Sequence, residues 1–375
     1  MPSTYKKIFK RILIVGVGGS GCRAVKASLE DNDMSYLLID TDNSSLNEIE
    51  TEKTLLIGQN ITNGLSAGGD IEIGRQAIEK EALKIRAIFE TIDLVIIIGG
   101  LGGGTATGTI PVLTRIAREA NSQSIVFASM PFIFEGKQKK VCADDSIKRM
   151  RSHSDAIVRL SNERLKKRLK PEQAEVGFKI SHSYMIEAIK TLWVICSKPS
   201  ICGLDFSSIH TILRNCDGFC NFVSVHCDKK KDRSKLISEK LINHPLMNKG
   251  LLWKGAPGAI ITIKGNKDLL LIEVEEIMEN IINEISDDAW INYGIHFDNN
   301  TKGISVMALV AESWNEELIN SDNNLFDKSD QKSNQGLLSL KEYNKGVFSE
   351  MEGSVYNSED LDIPTFRRKK IKLPK

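Results

Sequence analysis

The sequence predicts an α/β fold: a parallel sheet first, then a long helix, then a smaller α+β region. Three observations carry this. Short apolar segments alternate with helical patterns from Arg11 to Ser129. Residues 94–98 (LVIII) are wholly apolar and mostly β-branched, as in a central strand covered on both faces. Two of the apolar segments empty into glycine-rich turns, and in parallel sheets ligands gather at the carboxyl ends of the strands.

The elements follow in order. Residues 11–17 form a buried strand, and the polar stretch 31–34 breaks the helix after it. A second strand, 36–39, ends in Asp40-Thr41-Asp42. Residues 77–89 have helical spacing, with Ala82, Ile85 and Phe89 on one face. After strand 94–98 and its glycine turn comes a helix over 111–120, then a strand over 124–129. A long helix over 172–197 stops at Lys198-Pro199. The second region adds a helix from about Leu204, strands 222–226 and 258–263, a helix over 273–285 and a strand over 303–311. Beyond Ser313 the composition turns to Asn, Ser, Asp, Glu and Lys, too polar to bury a core.

Composition excludes several classes. Fifty Lys+Arg against 49 Asp+Glu, a net charge of +1, argue against nucleic acid and membrane surfaces as general partners. Seven cysteines, an odd number, suggest reduced thiols. The first residues lack a signal peptide's apolar core, and no apolar run is long enough for direct membrane insertion. A soluble, cytoplasmic protein is expected. Cys216, Cys220, His226 and Cys227 lack paired knuckle spacing, so buried thiols are expected there and no metal. Lys229–Arg233 reads as a solvated loop, and Asp144 and Asp145 as caps opening a helix.

The first glycine loop is Gly16-Val17-Gly18-Gly19-Ser20-Gly21, between a strand and a helix. Glycine lets backbone approach a phosphate, and the helix N-terminus offers unpaired N–H donors. Alone, this loop resembles a dinucleotide fingerprint, with Asp40 or Asp42 as the ribose-reading acid and an oxidoreductase as the implied activity. The second loop, Gly99-Gly100-Leu101-Gly102-Gly103-Gly104-Thr105-Ala106-Thr107-Gly108, has no place in that scheme. It also lacks the P-loop lysine, so hydroxyls and amides must hold the phosphates. Together the two loops point to a nucleoside triphosphate.

These residues resemble the FtsZ branch of the tubulin superfamily. Gly102 to Gly108 (GGGTATG) is similar to the GGGTGTG signature, with Ala106 at its middle glycine. Gly18, Gly19, Ser20, Gly21 and Arg23 fall in the family's first loop, and Gly64-Leu65-Ser66-Ala67-Gly68-Gly69 resembles its GLGAG loop. Pro131 to Gly136 (PFIFEG) carries the ribose-contacting Glu135, and Leu160 to Leu165 (LSNERL) the base-contacting Asn162. Phe178 aligns with the stacking Phe, Ser183 with the guanine-reading Asp, and Lys139 with an Arg near the phosphates. Pro245-Leu246 and Gly255 to Gly258 match two further segments.

The resemblance implies a fold and an activity. The fold is tubulin/FtsZ-like: a Rossmann-like, parallel-sheet GTP-binding domain (11–178) after an extension (1–10). A central helix with the start of the catalytic loop (179–203) joins it to an activation domain (204–312). A disordered linker (313–360) and a docking peptide (361–375) end the chain. The implied ligands are GTP or GDP with Mg2+, and the implied partner is a second copy of the chain, stacked head to tail. In the family a N-x-D-x-x-D loop completes the neighbour's site; here Gly203 and Ser208 replace the Asn and last Asp, leaving Asp205 as the catalytic candidate and hydrolysis weak. The tail, Leu361 to Phe366, resembles the DIPAFLR peptide, implying docking of membrane tethers and division regulators on Ile363, Pro364 and Phe366 at the division site. A non-hydrolysing structural or regulatory paralogue is the alternative.

Overall fold

The structure, a computed structural model, describes residues 11–29, 34–49, 51, 53–166, 174–197, 204, 219–229, 231–298, 301–312, 355–356 and 359–360. The chain divides into two compact units, Met1–Glu316 and Glu317–Lys375. Of the second, the described residues are a two-stranded antiparallel pair, Val355–Tyr356 with Glu359–Asp360. The predicted extension 1–10, the helix after Leu204, most of the linker and the docking peptide lie outside the described residues.

The first unit begins with β1 (Ile12–Val17), α1 (Gly18–Ser28), β2 (Tyr36–Asp40), α2 (Asn43–Asn47), β3 (Thr54–Leu56) and α3 (Gln59–Thr62). Then come α4 (Ile71–Lys80), α5 (Ala82–Phe89), β4 (Leu94–Gly100), α6 (Gly104–Glu119), β5 (Gln123–Met130) and α7 (Lys137–Arg151). β6 (Ala156–Ser161), α8 (Asn162–Lys166) and the long α9 (Ala174–Ser197) complete the first half. The second half holds β7 (Phe219–Cys227), α10 (Arg233–Ile242), α11 (Leu251–Lys254), β8 (Gly258–Gly265), α12 (Leu271–Ile282), β9 (Trp290–Phe297) and β10 (Ile304–Glu312).

Among the described residues ten strands form one sheet, in the order β3-β2-β1-β4-β5-β6-β7-β10-β8-β9. The first six pair in parallel, from Leu38↔Thr54 at one end to Ile125↔Ala156 at the other. All six residues of β1 are buried, as a strand between two helical layers requires. On one face α9 lays Met185, Ala188, Ile189, Leu192 and Ile195, one stripe at helical spacing, over Ile14, Ile96 and Phe127. On the other, Ile78, Phe89, Ile110 and Leu113 of α4 to α6 cover Val15, Ile97 and Val126. β10 runs antiparallel to both β7 and β8, and a third core under α10 and α12 encloses Trp253. Among the described residues no helix is long and apolar enough to cross a membrane.

Several expectations are corrected. The pattern over 77–89 is two helices, broken at Glu81, whose φ of −96° and ψ of 4° are not helical. The helix expected from 111 begins at Gly104, with Pro111 inside it. Pro111 has no N–H to give the Thr107 carbonyl. The Ser146 hydroxyl donates to that carbonyl instead, at 2.9 Å, so α7 supplies the bond the proline removes. Asp144 and Asp145 sit inside α7 rather than at its start, and pair one turn away with Lys140 (3.1 Å) and Arg149 (3.3 Å). Arg233 is no solvated residue: it opens α10 almost fully buried, held by Glu273 at 2.5 Å and Asp268 at 3.2 Å. Cys220 and Cys227 are buried while His226 is exposed; Cys216 lies outside the described residues.

Ser146→Ala is expected to lower unfolding free energy by about 1–3 kcal/mol, since it strands the buried Thr107 carbonyl. Urea melts would show a lower midpoint at unchanged slope, and adding Pro111→Ala to that variant should recover part of the loss.

Candidate functional site

The strand order reverses between β1 and β4, which pair directly from Ile12↔Leu94 to Val17↔Gly99. The connections after these two strands leave in opposite directions and open a crevice at their carboxyl ends. Both glycine loops lie there, and a cavity of about 460 Å³ opens between them and α9.

The glycines divide by task. Gly21 lets α1 lie on β4, because a Cβ there would stand 2.2 Å from the Ile98 carbonyl oxygen. Gly104 and Gly108 do the same for the 67–74 segment: added Cβ atoms would meet Asp70 O at 2.7 Å and Ile71 O at 2.2 Å. Gly103 is different. It lines the cavity, and a Cβ there would meet nothing within 4 Å. Gly102 takes φ +101°, and its N–H closes the loop onto Thr107 Oγ1 at 2.8 Å. Ala106 fits in place of glycine because its methyl faces Gly18 and Gly99. Neither the Val17 side chain on α1 nor the Gly103 position on α6 caps the first turn, so both helix starts present N–H groups.

A buried polar network ties the loops to β2. Thr41 Oγ1 bonds Thr105 Oγ1 at 2.7 Å and accepts the Ala67 N–H at 3.1 Å. Asp40, 3% exposed, accepts the Thr41 N–H at 2.8 Å and the Asp42 N–H at 3.3 Å. Burial raises its pKa above the usual carboxylate range. Asp42 caps α2 through Ser44 and Ser45. Neither acid lines the cavity, so neither is placed to read a ribose there. Gly68 (φ +61°) stands in the adjoining loop, also outside the lining.

Of the sequence-predicted residues, the cavity gathers Ser20, Arg23, Gly103, Glu135, Asn162 and Phe178. Glu135 accepts the Phe132 N–H at 2.9 Å and pairs with Lys139 at 3.0 Å, which leaves Lys139 just outside the wall. Gly100 and Leu101 line the cavity too, whereas Gly18, Gly19, Gly21, Gly102 and residues 104–108 are not in its wall. Phe178 is half exposed and meets Phe132 edge-on at 5.0 Å. Ser183 is exposed outside the lining, its hydroxyl donating to the Ile180 carbonyl at 2.8 Å. Asp205, Ile363, Pro364 and Phe366 lie outside the described residues.

Sequence reasoning missed Ser129, Ser181, His182 and Met185 in the wall. Two signals could have found them. Ser129 is a polar residue at the carboxyl end of β5, and 181, 182 and 185 follow Phe178 at the 3, 4 and 7 spacing of one helix face. Ser129 bonds both Asn162 (3.3 Å) and Ser181 (3.2 Å), joining three elements under the cavity floor.

Two family models match the chain: the GTPase domain of the tubulin/FtsZ family over residues 11–170, and the C-terminal domain of the FtsZ family over residues 221–313. Cell division protein FtsZ 1 of Pyrococcus horikoshii is 30% identical over 308 residues, which span 81% of this chain and 82% of that protein. The chain belongs to the tubulin/FtsZ family. Cell division protein FtsZ of Buchnera aphidicola is 26% identical over 378 residues, 96% of this chain and 97% of that protein. An empty FtsZ dimer from M. jannaschii superposes with a TM-score of 0.76 at 28% identity, over 82% of this chain and 89% of that one. The FtsZ likeness accounts for both glycine loops, where an oxidoreductase needs only the first.

The division of glycines has a measurable result. Gly108→Ala forces a helix pair apart and is expected to cost about 1–3 kcal/mol, whereas Gly103→Ala enters open space at an extended φ and should change stability by no more than about 0.5 kcal/mol. Urea unfolding of the two variants side by side checks it; equal losses would refute the division.

Proposed function

We propose that this protein is an FtsZ-like cytoskeletal GTPase that holds GTP in the cavity between the glycine loops and polymerises head to tail. The observation that carries the reading is the pair of glycine loops at one strand-order reversal, opening onto one cavity. On this reading the α1 and α6 starts, with Ser20 and Gly103, hold the phosphates, Glu135 the ribose, and Asn162 and Phe178 the base, while the Thr105 and Thr107 hydroxyls brace the loop through Thr41 and the Gly102 N–H. On the same reading residues 11–178 are the GTP-binding domain, 179–203 the central helix with the start of the catalytic loop, and 204–312 the activation domain.

Among the described residues no group of three His, Cys, Asp or Glu side chains is placed to hold a metal. Mg2+ would therefore arrive with the nucleotide, held by phosphate oxygens and water, and would supply neutralising charge on them. Asp205 of one subunit would orient water at the next subunit's γ-phosphate, and the losses at Gly203 and Ser208 make that step slow. Exposed apolar residues support stacking of subunits: Phe134 beside the cavity, and Leu270, Leu271 and Trp290 in the second half. The peptide at 361–366 would dock membrane tethers and division regulators, with the filament serving bacterial septation in the cytoplasm. The second reading, a filament that binds nucleotide without turning it over, is favoured by the same two positions.

Phosphate release and light scattering, followed together against protein concentration, test the proposal. GTP-dependent scattering is expected with slow release, and restoring the loop with Gly203→Asn and Ser208→Asp should raise release by about 10²-fold or more. A protein that stays monomeric with GTP in sedimentation would overturn the reading; scattering with no release at all would select the second.

A further inference from the structure

The polar network behind the glycine loops contains a carboxyl group that no cation balances. Asp40 ends β2, one residue past the pair Val17↔Ile39, and so stands level with the start of α1. Its side chain is buried. Oδ1 accepts the Thr41 N–H at 2.8 Å and the Asp42 N–H at 3.3 Å. Among the described residues Asp40 makes no ion pair, and the charge that acts on it is that of Asp42, of its own sign. Buried charges are ordinarily paired, so one that is not calls for a cause.

The hydrogen bonds show what the group supports. Asp40 fixes the backbone of Thr41, and Thr41 Oγ1 reaches both Thr105 in the first turn of α6 and the Ala67 N–H before α4. One carboxyl group thus holds the turn that joins the α6 start to the 67–70 segment. The starts of α1 and α6 are the positive ends of two helices, and no side chain caps either. Before nucleotide binds, those ends favour negative charge on Asp40. Phosphates seated on the same ends would add negative charge to the same region, and like charges so placed cannot all stay ionised. Phosphate oxygens keep Mg2+ and water around them, whereas Asp40 is sealed in protein. The conflict is therefore relieved at Asp40, by a proton from solvent on its second oxygen. Oδ1 still accepts both N–H groups, and the turn keeps its shape.

We propose that Asp40 is a positioning residue that couples nucleotide binding to proton uptake: it holds the Thr41 turn in either charge state and is protonated when a nucleoside polyphosphate occupies the α1 and α6 starts. The proposal rests on the cavity being the nucleotide site. Burial already raises the group's pKa above the usual carboxylate range, so a bound polyanion moves it further toward neutral pH. The titratable groups facing it are Asp42, half-buried at the end of its own strand, and Cys22 on α1, with Arg23 next to that thiol. Cys22 is pushed up to about 12, by burial and then by Asp40, and stays a thiol throughout. From α6, β1 and β3 its neighbours are the uncharged Thr105, Val17 and Leu56.

Isothermal titration of the full chain with GTP and Mg2+, in two buffers of different ionisation enthalpy, counts the protons taken up per nucleotide. Between about pH 5 and 8 wild type is expected to take up, at its maximum, about half a proton more than Asp40→Asn. That variant keeps an acceptor oxygen for both N–H groups and cannot titrate. It should bind GTP about 10-fold more tightly than wild type at pH 8, a gain that shrinks toward pH 5, where the wild-type carboxyl is neutral before nucleotide arrives. Asp40→Ala, which removes the acceptor as well, should bind about 5-fold more weakly than Asp40→Asn at every pH. The His182 ring, Arg23 and the nucleotide's own phosphates are common to all three proteins and cancel in the comparison. Equal proton counts in wild type and Asp40→Asn, or an affinity ratio between them that does not change with pH, overturn the role of Asp40 while leaving the site standing. Should Asp40→Asn fail to fold, infrared difference spectra of wild type with and without GTP decide: the carbonyl band of a protonated carboxylic acid must appear on binding, and its absence overturns the proposal. A wild type that binds no GTP overturns the site itself.

Discussion

The rest of the site hangs on the contact between Gly21 and the Ile98 carbonyl, where α1 lies so close on β4 that no side chain fits. A β-carbon would stand 2.2 Å from that oxygen. Gly16 serves the same contact from below, its own missing Cβ facing the Gly21 carbonyl at 2.8 Å. With α1 seated on two strands, its first turn and the β4 loop share one crevice, and α9 can close the far side. The strand order creates the crevice, but the glycine contact sets its width.

Much of this was legible in the chain. The apolar, β-branched strands were recognisable because a strand buried on both faces has no polar alternation to confuse with a helix. The loops were recognisable because glycines crowded between a strand and a helix suit a backbone that must pass close to a ligand, and suit little else. Three errors share a cause. Pro111, Asp144 and Asp145 carry strong local preferences for helix starts, and tertiary partners override them: Ser146 completes the bond that Pro111 cannot make, and Lys140 and Arg149 pair the two acids inside a helix. Local propensity is a weak prior wherever a neighbour can supply what it lacks.

The wall of the cavity was harder to read than its floor. Glycine loops advertise themselves, whereas Ser181, His182 and Met185 are ordinary residues made relevant by their angle about α9 relative to Phe178. Arg233 illustrates the same difficulty away from the site. In sequence it ends a run of charge, yet in the fold it is buried between Asp268 and Glu273, and its worth depends on carboxylates some 35 to 40 residues away. Spacing along a chain carries no sign of such pairings.

The seam between the two halves of the sheet is thin. Among the described residues β6 and β7 share two residue pairs, Ile157↔Phe219 and Val158↔Cys220, where β7 and β10 share nine. A salt bridge from Arg159 to Glu312 at 2.5 Å, with Asn221 bonded to the same carboxylate at 3.2 Å, rivets the seam on the far side. One buried core nonetheless runs across that line, from Ile14 and Phe127 through α9 to Phe222, Ile260 and Leu309, so where backbone pairing is sparse the two halves are welded by packing.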